Sequence, residues 1–171
     1  MVLKDLKVYL IGMPGSGKST FGNALAQQLA YTFVDLDASI EEKEQASIPE
    51  IFAHKGEAYF RIVERECLLE TASLEQTVIA TGGGAPCFYN NIQFIKEQGV
   101  SIFLNTSIEE LAKRVSQQQG QRPLLPQQEK EELMEELQKK YALRLPYYQQ
   151  AQFSLNEAEQ SVEAVLKLLG R

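Results

Sequence analysis

Short, continuous apolar runs alternate along this chain with stretches whose apolar residues recur every three or four positions. The first run, Val8-Tyr9-Leu10-Ile11, leads into Phe21, Ala24, Leu25 and Leu29 at helical spacing. Continuous runs of this kind mark strands buried on both faces, and the three-to-four spacing marks amphipathic helices. The pattern predicts strands at 7–11, 33–35, 78–81, 101–104 and 152–155. It predicts helices at 18–30, 48–54, 58–72, 92–98, 108–117, 130–141 and 158–168. Strands separated by helices imply an α/β fold, with a parallel sheet covered on both faces. Neither an internal repeat nor a long linker interrupts it, so residues 1–171 are expected to form a single domain.

One segment breaks the alternation. Ser116-Gln117-Gln118-Gln119-Gly120-Gln121 has no large apolar side chain, and it runs into Arg122-Pro123-Leu124-Leu125-Pro126. Two prolines stop regular structure there. The segment reads as a mobile flap between two helices or as an ordinary exposed loop, and the arginine inside it favours the flap.

Composition narrows the partners. The 171 residues are 44% hydrophobic and 23% charged, with 17 basic and 23 acidic side chains, a net charge of −6 and an isoelectric point near 5.0. An acidic chain with no basic stripe is not expected to bind nucleic acid. No run approaches the roughly 18 apolar residues of a membrane span, so no membrane partner is expected. Met1-Val2-Leu3-Lys4-Asp5 does not read as an export signal. Cys67 and Cys87 are too few for a disulfide framework and too far apart for a metal knuckle; free thiols in a reducing cytoplasm are expected. A monomer is the expectation for this size and surface.

The strongest chemical signal is Gly12-Met-Pro-Gly15-Ser16-Gly17-Lys18-Ser19-Thr20, between a strand and a helix. Its glycines let backbone N–H groups close around phosphate oxygens, and the helix that follows adds the positive end of its dipole. Lys18 reaches the β- and γ-phosphates, and the Ser19 hydroxyl suits Mg²⁺. The motif predicts a bound nucleoside triphosphate.

Other residues gain meaning beside that loop. Asp35 and Asp37 stand two apart at the end of a strand; in extended chain both carboxylates would face the crevice where parallel sheets bind ligands. Glu57, Arg61, Glu64 and Arg65 share one side of a helix, and spacing alone favours a solvated salt-bridge face. Thr81-Gly82-Gly83-Gly84 follows a strand and offers backbone free of side chains, for a small polar ligand or as a plain turn. Arg122 is placed to clamp phosphates from the flap. Arg144, near a helix end, suits a dipole complement on spacing alone. His54 suggests no role.

Taken together, GMPGSGKST at 12–20, FVDLD at 33–37, GEAYFRIVE at 56–64, TGGG at 81–84, RPLL at 122–125 and YALRLPYY at 141–148 resemble the shikimate kinase family across nearly the whole chain. The resemblance implies the three-layer P-loop fold of the nucleoside monophosphate kinase group: a five-stranded parallel sheet in the order 2-3-1-4-5, flanked by helices. It implies an ATP-dependent phosphotransferase of the shikimate pathway, leading to the aromatic amino acids. The implied ATP site is Gly12, Gly15, Ser16, Gly17, Lys18, Ser19 and Thr20, with Arg114 at the adenine. The implied Mg²⁺ ligands are Ser19 and Asp35. Asp37 would grip the shikimate 3-hydroxyl as base or orienting group. Arg61 and Arg144 would clamp the substrate carboxylate, Glu64 would orient Arg61, and Gly83 and Gly84 would offer backbone contacts. The substrate-binding region would span about 35–65, and a lid at about 112–126 would bring Arg122 over the γ-phosphate. The resemblance thus reverses what spacing alone says of Arg61 and Arg144. Rival readings are a gluconate or nucleoside monophosphate kinase of the same fold, or a non-catalytic nucleotide-binding module.

Arg122→Ala is expected to lower kcat by about 10²-fold or more, the scale on which phosphoryl-stabilising groups act. Steady-state ADP release measures this, and a near-wild-type kcat removes the residue from the mechanism.

Overall fold

A computed structural model of the protein describes residues 6–118 and 127–171. Five parallel strands form its sheet: β1 (Lys7–Ile11), β2 (Thr32–Asp35), β3 (Thr77–Ala80), β4 (Val100–Asn105) and β5 (Phe153–Asn156). Their order is β2-β3-β1-β4-β5, the order the resemblance implied. The central strand β1 lies between β3, with Val8 opposite Val78, and β4, with Leu10 opposite Ile102.

Period-two alternation explains why the central strands read as unbroken apolar runs. Tyr9, Ile11, Ile79 and Phe103 point to one face of the sheet, whereas Val8, Leu10, Val78, Ile102 and Leu104 point to the other. The second face is covered by α1 (Lys18–Leu29) and α7 (Val162–Leu168), through Leu25, Ala26, Leu29 and Val165. The first carries α2 (Leu36–Glu44), α3 (Ile48–Glu70), α4 (Asn91–Gln98), α5 (Ile108–Gln118) and α6 (Gln127–Tyr148). Both faces are therefore sealed, as a parallel sheet requires.

Three elements differ from the pattern-based expectation. The segment after β2 is a helix, α2, where extended chain was expected. Asp35 caps it, its carboxylate accepting from the N–H groups of Asp37 at 3.0 Å and Ala38 at 3.4 Å. The helices expected at 48–54 and 58–72 join into α3, whose backbone leaves helical geometry only at Gly56 (φ 80°, ψ 172°). A left-handed φ of this kind suits glycine, so the break is written at the residue that permits it. A capping box, Ser47 with Glu50, starts that helix. Finally, α6 runs past Pro146 to Tyr148. The Tyr148 ring at its end packs against Phe103, centroids 5.1 Å apart.

Among the described residues, no helix is long and apolar enough to cross a membrane. The expected lid at about 112–126 lies partly in α5; its remainder, Arg122 included, falls outside the described residues.

Candidate active site

The loop between β1 and α1 folds around its own lysine. Gly15 and Gly17 take left-handed φ values of 80° and 90°, which turn the chain into α1 without the penalty a side chain would bring. Lys18 is buried and donates to the carbonyls of Gly12 and Met13, both at 2.9 Å. Ser16 is buried beside it, with Oγ 3.4 Å from the lysine Nζ. Burial pushes the Lys18 pKa down to about 8, Asp37 pulls it back up, and Arg144 pushes it further down. An ammonium in that position gains from a polyanion, which supplies the negative charge that burial withholds. Ser19 and Thr20 stand exposed at the helix start, along the mouth of a cleft of about 840 Å³.

Asp35 and Asp37 both line that cleft, but not as neighbours on an extended strand. Asp35 ends β2 and Asp37 stands in the first turn of α2. The Ser19 hydroxyl donates to Asp35 Oδ2 at 2.5 Å, leaving the second oxygen to cap the helix. Burial and the Asp35 charge raise the Asp37 pKa, with Lys18 opposing. The two carboxylates are thus distinct: Asp35 is held by a cap and a hydroxyl, whereas burial holds the Asp37 carboxyl above the usual carboxylate range.

On α3, Arg61 and Glu64 do not form a solvated face. They are 7% and 1% exposed and pair at 2.7 Å, while the exposed Glu57 reaches Arg61 at 3.3 Å. The guanidinium stacks on Phe88, 4.2 Å from the ring centroid, which holds its plane. Burial raises the Glu64 pKa, and Arg61 pulls it down. Arg65, on the same helix, turns elsewhere and donates to Asn91 at 2.5 Å.

The glycine turn after β3 explains why these groups converge. A Cβ at Gly82 would stand 2.9 Å from Asp37 Oδ1 and 2.9 Å from Glu64 Oε2. At Gly83 it would stand 3.0 Å from Arg144 Nη1 and 2.5 Å from Pro14, and at Gly84 2.6 Å from the Arg61 guanidinium. None of the three has a positive φ, so here glycine serves space rather than backbone freedom. Glu64 Oε2 and Arg144 Nη1 are buried there without a hydrogen-bond partner. One is an acceptor and the other a donor, and buried polar groups of this kind carry a penalty that a ligand's hydroxyl and carboxylate would remove.

Arg114 reaches the phosphate loop from α5. It donates to the Gly15 carbonyl at 3.2 Å and pairs with Glu110 at 2.8 Å. The structure therefore brings together Gly12, Gly15, Ser16, Gly17, Lys18, Ser19, Thr20, Asp35, Asp37, Arg61, Glu64, Gly83, Gly84, Arg114 and Arg144; Arg122 is outside the described residues. Sequence reasoning missed Gly82 as a separate contact, Phe88 as the plate under Arg61, and Gln160 at the cleft wall. The triple glycine signalled the first; nothing in the local sequence signalled the other two. Both cysteines are free, Cys67 buried and Cys87 half-buried.

A family model described as shikimate kinase matches residues 14–170. A shikimate kinase of Bacteroides thetaiotaomicron is 40% identical over 172 residues, covering 96% of this chain and 98% of that protein. The crystal structure of shikimate kinase from that organism superposes with a TM-score of 0.89, covering 97% of this chain and 99% of the other. Shikimate kinase from Acinetobacter baumannii, solved in complex with shikimate, is 32% identical, with a TM-score of 0.84 over 96% of this chain and 92% of that one. A gluconokinase from Sinorhizobium meliloti, 17% identical with a TM-score of 0.59, shares the fold alone.

Two outcomes follow from this geometry. Phosphate oxygens bound at the loop would hold Lys18 protonated, whereas burial lowers its ligand-free pKa to about 8. Above that pH, binding must take up a proton, so ATP affinity is expected to fall as pH rises, approaching tenfold per unit. Equilibrium titration between pH 7 and 9.5 checks this, with Lys18→Met expected to flatten the profile. Gly84→Ala displaces the Arg61 guanidinium and is expected to weaken acceptor binding by about tenfold or more while ATP affinity stays within about twofold; calorimetry with each ligand separates the two.

Proposed function

The chain belongs to the shikimate kinase family, and on that premise we propose that it transfers the γ-phosphoryl group of ATP to the 3-hydroxyl of shikimate, giving shikimate 3-phosphate and ADP. The observation that carries the acceptor assignment is the pair of unpartnered buried atoms at the glycine turn. Arg144 Nη1 offers a donor to a carboxylate, and Glu64 Oε2 offers an acceptor to a hydroxyl. Arg61, half of a buried pair with Glu64, completes the carboxylate clamp through its planar fork.

In this reading Asp37 takes the proton of the attacking hydroxyl. Its raised pKa favours that role, because a more basic carboxylate accepts a proton more readily. The new P–O bond forms as the bond between the γ-phosphorus and the β–γ bridging oxygen breaks, leaving ADP. Lys18 neutralises phosphate charge from below, and Arg122 does so from the lid. Arg114 flanks the adenine. Positioning and charge neutralisation supply most of the acceleration in such transfers.

Ser19 and Asp35 fit a Mg²⁺ ion. Both are hard oxygen donors already 2.5 Å apart at the mouth of the phosphate loop, and Mg²⁺ takes its remaining ligands from water and substrate phosphates. When bound, the ion would be held by Ser19 and Asp35 and would offset the negative charge of the phosphates. The protein would work as a monomer in the cytoplasm, as one kinase domain.

ADP release with MgATP and shikimate, gluconate, AMP or no acceptor, run in parallel, tests the assignment. Release with shikimate only is expected. Release with another acceptor keeps the phosphoryl chemistry and overturns the substrate. ATP binding without release in any arm would leave a nucleotide-binding module.

A further inference from the structure

Tyr148 ends α6 with its side chain fully buried. Its hydroxyl donates to the Gly83 carbonyl at 2.5 Å and lies 3.7 Å from the Met13 sulfur in the phosphate loop. A phenylalanine would fill the same space against Phe103, so packing does not explain the oxygen. A buried hydroxyl must find a partner to offset its lost hydration, and here the partner is the backbone of the glycine turn. Burial raises the phenol pKa while the Arg144 charge opposes, so the group remains a donor throughout the neutral range.

The bond acts on the central peptide of a turn that the Ala85 N–H closes by donating to the Gly82 carbonyl at 3.1 Å, a closure compatible with either orientation of that central peptide. The Gly83–Gly84 unit joins two residues without side chains, and glycine restrains backbone rotation less than any other residue. In a trans peptide the carbonyl and the following N–H point in opposite directions, and no described peptide is cis. Drawing the Gly83 carbonyl toward α6 therefore turns the Gly84 N–H away from Tyr148. A rotated peptide would present a carbonyl dipole where the acceptor needs a donor. Arg144 precedes Tyr148 by four residues on the same helical face, so one turn of α6 delivers both the arginine and the hydroxyl.

We propose that Tyr148 is a positioning residue for the acceptor: its hydroxyl latches the Gly83–Gly84 peptide in the orientation that presents the Gly84 N–H to shikimate. The proposal rests on the shikimate kinase reading above.

Tyr148→Phe removes only the hydroxyl. The shikimate KM is expected to rise about fivefold to tenfold, the scale of one buried hydrogen bond, with the ATP KM within about twofold. Tyr141→Phe is the matched control: it deletes a phenol hydroxyl on the same helix, one that donates to Asn105 at 3.0 Å, and leaves the shikimate KM unchanged. A wild-type shikimate KM in Y148F overturns the proposal, as does an equal rise in both KM values. If Y148F melts early enough to blur the kinetics, calorimetry well below its Tm decides: weakened shikimate binding supports the latch and wild-type affinity overturns it. Failure of the functional reading is separate, appearing in the unaltered protein as no shikimate-dependent ADP release.

Discussion

The space above Gly82, Gly83 and Gly84 is the constraint on which the site depends, because functional side chains from three helices stand where Cβ atoms would be. Asp37 from α2, Arg61 and Glu64 from α3 and Arg144 from α6 all approach this turn. Real Cβ contacts essentially never fall below 3.0 Å, so a side chain added at Gly82 or Gly84 must push the tip of Asp37, Glu64 or Arg61 aside. Helices far apart in sequence are thereby tied to one short turn after β3.

The same convergence sets the electrostatics. A chain of net charge −6 gathers Lys18 and Arg114 along one cleft, with Arg61 and Arg144 at the glycine turn beside it. Burying such charges is unfavourable unless they are paired, and the pairing in the ligand-free protein is incomplete. Arg61 has Glu64, but one Glu64 oxygen and one Arg144 nitrogen are left without partners, and Lys18 makes do with carbonyls and a serine hydroxyl. Substrates that bring a carboxylate, hydroxyls and phosphates satisfy these groups. Part of the binding energy is thus prepared in the folded protein as unsatisfied polar demand, which favours ligands of the right charge pattern over water.

Much of this was legible in the sequence. Strand–loop–helix context identified the phosphate loop, and strand–helix alternation gave the parallel sheet, because both depend on local spacing. The acceptor half was harder to read. Spacing placed Arg61, Glu64 and Arg65 on one helical side, yet Arg61 and Glu64 are buried only because the glycine turn and Phe88 pack over them from elsewhere in the chain. Asp35 and Asp37 were read as parallel strand residues because a strand end and a helix start look alike when aspartate serves both; the cap that Asp35 makes decides it. Phe88 and the Tyr148 hydroxyl left no local mark, since their roles lie in contacts with residues distant in sequence.

A fold shared with a gluconokinase at 17% identity cannot choose the acceptor, because sheet and phosphate loop serve any hydroxyl presented to the γ-phosphate. What distinguishes one acceptor from another must lie where the fold's common elements leave room. Here that room is shaped by side chains on α2, α3 and α6, around a turn whose glycines contribute only space and backbone. Such a site gains specificity by two routes: charged groups match the ligand's carboxylate and hydroxyls, and the bare turn permits an approach that any larger residue would block. Asp37 and Glu64 meet at the same glycine turn, and the Tyr148 hydroxyl lies beside Met13 of the phosphate loop, so the turn after β3 and the phosphate loop share one frame.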